Sequence, residues 1–180
     1  VRFVNYEGLG FNPMRVTSTS NFAHIDNTGN LRDIFAAIFP DLGDIQLGKL
    51  RESILKSYTD RGWAKGTRGE TPPFTAFYDA LVSESRPDRG LNLRLDELAS
   101  YGFFDSEDGE ASLLDVREPI VIQIHRSPNE QLQRAFSTFV LYSIYQDMFK
   151  RGLKSRITHA IIFDEAHKAT GKKDRRTGFA

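Results

Sequence analysis

The spacing of apolar residues predicts helices through most of the first hundred residues. One helix is predicted over residues 31–39, with Asn30 as its N-cap, and a second over residues 45–58. Two further amphipathic helices are expected, one marked by apolar positions within residues 74–81 and a shorter one over residues 91–100. This half of the chain therefore predicts a group of short helices that bury their apolar faces.

A different pattern, typical of buried strands, governs the second half of the chain. Residues 119–125 read PIVIQIH, and a second apolar run occupies residues 157–163. Between the two runs, residues 129–150 keep the apolar spacing of a long helix. Strand, helix and strand predict a βαβ unit with parallel strands over residues 119–167. A further short strand is expected at residues 1–6.

Composition narrows the class of protein. The 180 residues are 39% hydrophobic, enough for one core, and 27% charged and 12% aromatic residues exclude a disordered chain. Basic and acidic residues balance at 24 each, so no net field draws the whole chain to DNA or a membrane. The absence of Cys excludes disulfides and Cys-bound zinc. We expect a cytoplasmic globular domain with no membrane segment, whose core includes Phe35, Phe39, Phe74 and Phe77.

Two adjacent carboxylates give the clearest indication of chemistry. Asp164 and Glu165 directly follow the second predicted strand. In an open parallel sheet, the carboxyl ends of the strands face the ligand crevice. Two bare charges placed there repel each other and lose hydration, and a bound Mg²⁺ would compensate both effects. These residues are therefore candidates for a metal-dependent site.

An apolar run followed by Asp-Glu resembles the Walker B motif of P-loop ATPases. The layout of the whole chain is similar to that of HerA/FtsK-type motors and their type IV secretion ATPase relatives. Residues 11–14 (FNPM) match an Asn-Pro turn, a helical insertion follows, and residues 119–167 match a strand, a long helix, a strand and Asp-Glu-Ala-His. Of these matches, only that of residues 119–167 is specific to the family. Superfamily-two helicases share the Asp-Glu-Ala-His string but lack this layout before it.

This resemblance implies a fold, two cofactors and roles for four residues. The implied fold is a partial RecA-like P-loop NTPase fold of the α/β class, with parallel strands flanked by helices and a helical insertion over residues 31–100. ATP and Mg²⁺ are implied as cofactors, with Asp164 supporting the ion and Glu165 activating the attacking water. His167 and Gln123 are candidates for sensing or coupling to the nucleotide, and an ordinary polar or structural role for each stays open.

The resemblance also implies DNA as a partner. Residues 150–176 hold nine basic and three acidic residues. The implied protein is a cytoplasmic DNA translocase or helicase that forms a ring, usually a hexamer, and works beside a nuclease in DNA processing or in defence against foreign DNA. A solvated or disordered loop explains the basic run more simply. Its candidates for DNA contact are Lys172, Lys173, Arg175 and Arg176.

The phosphate-binding loop GxxxxGK[ST] of this family is missing before the Asn-Pro turn. Gly43, Gly48 and Lys49 have the required spacing, but Leu50 replaces the Ser or Thr and no strand precedes the segment, so we interpret the match as accidental. We expect residues 1–180 to be a fragment of one ATPase domain, inactive by itself. Two alternatives stay open: a non-catalytic scaffold or interaction module derived from an ATPase, and a type IV secretion motor.

Overall fold

In a computed structural model the chain is mostly helical. The structure describes residues 1–5, 12–101, 118–124, 129–162 and 164. Within these ranges two short strands and five helices follow one another along the chain. In order they are β1 (Arg2–Val4), α1 (Ala23–Ile38), α2 (Asp44–Thr59), α3 (Ala76–Val82), α4 (Arg89–Ser100), β2 (Ile120–Ile122) and α5 (Glu130–Arg151).

Helices α2 to α5 confirm the sequence predictions to within a few residues. Helices α4 and α5 each begin at an N-cap side chain that accepts a hydrogen bond from a backbone N–H of the first helical turn. Asp88 Oδ1 accepts a hydrogen bond from the Leu91 backbone N–H at 2.9 Å, and Asn129 Oδ1 accepts from Leu132 N–H at 2.8 Å. Gly152, at φ +66°, ends α5 in a backbone conformation that residues other than glycine rarely adopt.

Helix α1 begins eight residues before its predicted start. The prediction that Asn30 caps a helix was wrong, because Asn30 lies inside α1. The polar residues ahead of it are helical because they find partners in the interior. His24 packs against the ring of Trp63 with centroids 5.9 Å apart, and Asn27 Nδ2 donates to the Tyr58 oxygen at 2.6 Å. Tertiary contacts thus overrode the polar pattern.

The core is built around aromatic side chains from several helices. Phe35 of α1 is fully buried, and its ring lies 5.2 Å from that of Phe77 and 5.5 Å from that of Phe139. Phe74, just before α3, stacks on Phe35 at 6.2 Å. The expected core positions, including Phe39, are confirmed by their burial. The helices bury their apolar faces chiefly against one another.

The prediction of a RecA-like α/β fold was wrong. In the part of the chain that the structure describes, the sheet has two strands, β1 and β2, paired in parallel with Phe3 opposite Val121. Residues 157–162, expected to form the second strand of the βαβ unit, are exposed and form no strand. An apolar run becomes a strand only when neighbouring strands take up its backbone hydrogen bonds, and the described part of the chain offers these residues no such neighbour. A RecA-like sheet would also need several parallel strands covered by helices on both faces.

Candidate functional site

The predicted metal-binding carboxylates follow an irregular, exposed segment. Asp164 lies in a turn and is exposed to solvent. Before it, Leu153, Ile157 and Ile162 are each at least 90% exposed. Glu165, the predicted catalytic residue, lies outside the described residues. The same holds for four basic candidates and for the predicted coupling residue, namely Lys172, Lys173, Arg175, Arg176 and His167.

Gln123 has a structural role through its backbone. Its N–H donates to the Val4 carbonyl at 2.8 Å, which prolongs the parallel pairing of β1 and β2 by one residue. The side chain is half-buried at the carboxyl end of β2. Among the described contacts, neither a hydrogen bond nor an ion pair joins Gln123 to Asp164. The role of Gln123 as a nucleotide sensor stays a prediction.

The glycine-lysine match at residues 43–49 does not form a phosphate loop. Gly43 precedes α2, while Gly48 and Lys49 lie within that helix. Lys49 Nζ donates to the Arg86 carbonyl at 2.8 Å and lies 3.6 Å from a Glu84 carboxylate oxygen. A phosphate loop requires successive backbone N–H groups to face the ligand, and N–H groups inside a helix are already paired.

The Asn-Pro turn is anchored among helices α1 to α5, which together are called the helical layer. Asn12 Oδ1 accepts from the Met14 N–H at 2.9 Å, and Asn12 Nδ2 donates to the Pro72 carbonyl at 2.8 Å. Met14 is fully buried, and its carbonyl accepts a 2.5 Å hydrogen bond from the Tyr58 hydroxyl. The turn therefore leads the chain from the sheet into the centre of the helices.

One buried amide, that of Asn27, connects this turn to three helices. Asn27 Nδ2 donates to the Tyr58 oxygen at 2.6 Å and to the Pro13 carbonyl at 3.4 Å. Its Oδ1 accepts from the Tyr142 hydroxyl at 2.5 Å and from Gln146 Nε2 at 2.8 Å. Both amide hydrogens and both carbonyl lone pairs are thus used, which is the full capacity of this side chain.

Burial keeps both tyrosines of this network protonated. Desolvation, partly offset by the hydrogen bond from Asn27, raises the pKa of Tyr58 far above its ordinary value. Burial likewise raises the pKa of Tyr142. Burial therefore favours the protonated form of both hydroxyls, which is the form that donates to the Met14 carbonyl and to Asn27 Oδ1.

A nearly buried ion pair lies beside this network. Arg15, directly after the Asn-Pro turn, has an Nη atom 2.8 Å from Asp147 Oδ1 of α5. Asp147 is 4% exposed, and its second oxygen, Oδ2, accepts no hydrogen bond from the described residues. Removing Arg15 would leave the buried Asp147 carboxylate without this ion-pair partner, so the pair fixes α5 relative to the turn.

A cavity of about 260 Å³ opens between α1 and α5 next to the Asn27 network. Each helix contributes four residues at the spacing i, i+3, i+4 and i+7, which places them on one face. A short stretch after the Asn-Pro turn supplies the rest of the wall. The lining residues are Val16, Thr17, Ser18, Ala23, Asp26, Asn27, Asn30, Tyr142, Tyr145, Gln146 and Phe149.

Sequence reasoning missed both the network and the cavity. Asn27 lies before residue 31, where the first helix was predicted to begin, and Tyr142 lies in the helix predicted over residues 129–150 without being singled out there. One signal was present: Tyr142, Tyr145 and Phe149 repeat at helical spacing and form a second aromatic face of that helix. Their partner on α1 could not be predicted, because residues 23–30 precede the predicted start of the first helix.

The described ranges contain neither a cluster of metal ligands nor a helix that could span a membrane. No group of three or more His, Cys, Asp or Glu side chains there could hold a metal ion. Likewise, none of the helices in these ranges is both long enough and apolar enough to cross a membrane.

Comparisons with known proteins leave the family open. No protein-family model matches the chain, and a search of the curated proteins finds no relative.

Proposed function

We propose that this chain is part of an ATP-driven DNA translocase or helicase that resembles the HerA/FtsK motors. The observation that carries the proposal is the apolar run of residues 157–163 followed at once by Asp164 and Glu165. The exposure of Asp164 supports it, because a carboxylate that binds hydrated Mg²⁺ must reach solvent. The proposal rests on this motif and not on a RecA-like sheet.

The two carboxylates have different roles in this proposal. A carboxylate oxygen is a ligand that Mg²⁺ prefers, so Asp164 fits the role of holding the ion, directly or through water. The bound ion would neutralise charge on the phosphates of ATP. Glu165 orients a water molecule for in-line attack on the γ-phosphate and accepts its proton. Because Lys49 is engaged by Glu84 and Arg86, the phosphates must be held by residues other than those at positions 43–49.

The test compares Glu165→Gln with a matched change, Glu52→Gln, in the protein at its full natural length. Glu52 is exposed on α2, in the helical layer. We expect Glu165→Gln to retain ATP binding and to lower turnover at least about 100-fold, the usual contribution of a general base. Glu52→Gln should leave both unchanged. Turnover of the Glu165→Gln variant at the rate of the unmodified protein would overturn the assignment.

A non-catalytic scaffold or interaction module is the second candidate. The absence of a wider sheet among the described residues favours it, and so does the engagement of Lys49 within the helical layer. The two candidates differ in ATP binding by the protein at its full natural length. Binding that requires Mg²⁺ and weakens in Asp164→Asn supports the motor. A folded protein that binds no ATP at millimolar concentration supports the scaffold.

A further inference from the structure

The cavity between α1 and α5 combines an aromatic wall with one negative charge. Tyr142, Tyr145 and Phe149 lie along the α5 side, and Asp26 lies on the α1 side. Asp26 is the only charged residue among the described residues that line the cavity. The chemistry of the site is therefore that of a small acidic space with ring faces.

The aromatic wall is open to solvent. The rings of Tyr145 and Phe149 lie with centroids 4.7 Å apart, and these residues are 56% and 70% exposed. Such exposure of apolar rings is unfavourable in water. The faces of aromatic rings carry partial negative charge, so they attract a cation placed over them.

Asp26 carries the one carboxylate among the described residues that line this cavity. Its carboxylate has no hydrogen-bond donor and no cation beside it in the described part of the chain. Asn27 has no remaining capacity, because its four hydrogen bonds go to protein groups. Asn30 forms a hydrogen bond with Tyr142. A ligand would therefore meet this carboxylate and two ring faces, beside the hydroxyl groups of Thr17, Ser18 and Tyr145.

We propose that this cavity binds an arginine side chain of a protein partner. A guanidinium group is planar, so it can stack on Tyr145 or Phe149 while it donates two hydrogen bonds to Asp26. The volume of about 260 Å³ lies below the range of roughly 300–1,000 Å³ usual for small-molecule sites and suits a single side chain. The carboxylate repels phosphate, which disfavours a nucleic acid here. This inference goes beyond the proposed motor function and does not depend on ATP hydrolysis.

The test is an NMR titration of the 180-residue chain with two probes, followed on the tyrosine ring signals. The probes are Nα-acetyl-arginine N-methylamide and its citrulline analogue, which has nearly the same shape without the charge. We expect the arginine probe to bind about tenfold more tightly, as a stacked and charge-paired guanidinium should. Tyr145→Leu should weaken its binding several-fold.

The matched control separates binding from helix stability. Asp26 stands in the first turn of α1, and Asp44 stands in the first turn of α2, outside the cavity. Asp26→Asn and Asp44→Asn remove the same favourable interaction with a helix dipole. Only Asp26→Asn should abolish the preference for arginine over citrulline.

Three outcomes would overturn the proposal. The first is equal affinity for the two probes, and the second is an arginine preference that survives in Asp26→Asn. The third is a short single-stranded DNA that shifts the Tyr145 signals while the arginine probe does not, since that would assign the cavity to nucleic acid.

Discussion

The helical layer and a second region, residues 152–162 with residue 164, differ in how far their apolar and polar groups find partners. In the helical layer, Phe35 is fully buried and Asn27 forms all the hydrogen bonds it can. In the second region, Ile157 and Ile162 are at least 90% exposed although the sequence is as apolar as a buried strand. Local pattern alone therefore does not decide burial; a side chain is buried only where a partner surface exists.

The largest expected effect is the loss of a core ring. Phe35→Ala should lower the free energy of unfolding by about 4 kcal/mol, because it removes ring contacts and leaves a cavity. Leu153→Ala, at a fully exposed side chain of the second region, should change it by less than about 1 kcal/mol. Denaturant unfolding of the 180-residue chain measures both values. Equal losses for the two variants would mean that the two regions do not differ in packing as described.

The second-largest loss in the free energy of unfolding is expected when the Asn27 amide is removed. Asn27→Ala should cost about 3 kcal/mol, because it leaves Tyr142, Gln146 and other groups without their partner. Asn92 offers a control, since its buried Oδ1 has no hydrogen-bond partner among the described residues. Asn92→Ala should change stability by no more than about 0.5 kcal/mol, measured in the same unfolding experiment. If Asn27→Ala is as mild as Asn92→Ala, the network does not stabilise the helical layer.

The cap of α4 predicts a smaller, pH-dependent effect. Asp88→Ala should cost about 1 kcal/mol at pH 7, since the carboxylate accepts the Leu91 N–H. That hydrogen bond, above all other causes, lowers the pKa of Asp88 in the folded protein. The carboxylate therefore stabilises the fold above its unfolded pKa of about 3.9 and loses this contribution as the pH falls through the lower folded pKa.

Unfolding measured at pH 7 and again at the lowest pH at which the chain stays folded checks this sign. The difference between the unmodified chain and Asp88→Ala should shrink on acidification. A difference that grows at low pH would contradict the depressed pKa.

The smallest effect is expected in the exposed segment. Ile157→Ser should change the free energy of unfolding of the 180-residue chain by less than about 0.5 kcal/mol, because the Ile157 side chain is 90% exposed. The same unfolding experiment measures it. A loss above about 2 kcal/mol would show that Ile157 is buried in solution, and it would remove the contrast between the two regions.

Helix prediction succeeded where apolar spacing and tertiary packing agree. The core face of α5 and the stripe of α2 could be read from their periodicity, and the buried phenylalanines from theirs. The start of α1 could not, because His24 and Asn27 look like loop residues until their partners on other elements, Trp63 and Tyr58, are known. The prediction of a strand at residues 157–163 was wrong for the converse reason. Apolar β-branched residues favour a strand, but they do not supply the neighbouring strand with which it must pair.

The candidate functional residues also fall into two groups, those that the sequence predicts and those that only the folded chain brings together. Asp164 and Glu165 were found from the sequence because a motif is local, and their chemistry stays a prediction. The Asn27 network and the acidic aromatic cavity could be found only in the folded chain, because each joins residues more than a hundred positions apart.

The sequence by itself determined the positions of four of the five described helices, the aromatic core positions and the adjacent carboxylates at residues 164 and 165. Only the tertiary structure decided that the described residues pack as helices on helices beside a two-stranded sheet, and that α1 extends back to Ala23. The physical reason is that helical hydrogen bonds close within four residues, whereas strand pairing and buried polar contacts depend on groups far away in the chain.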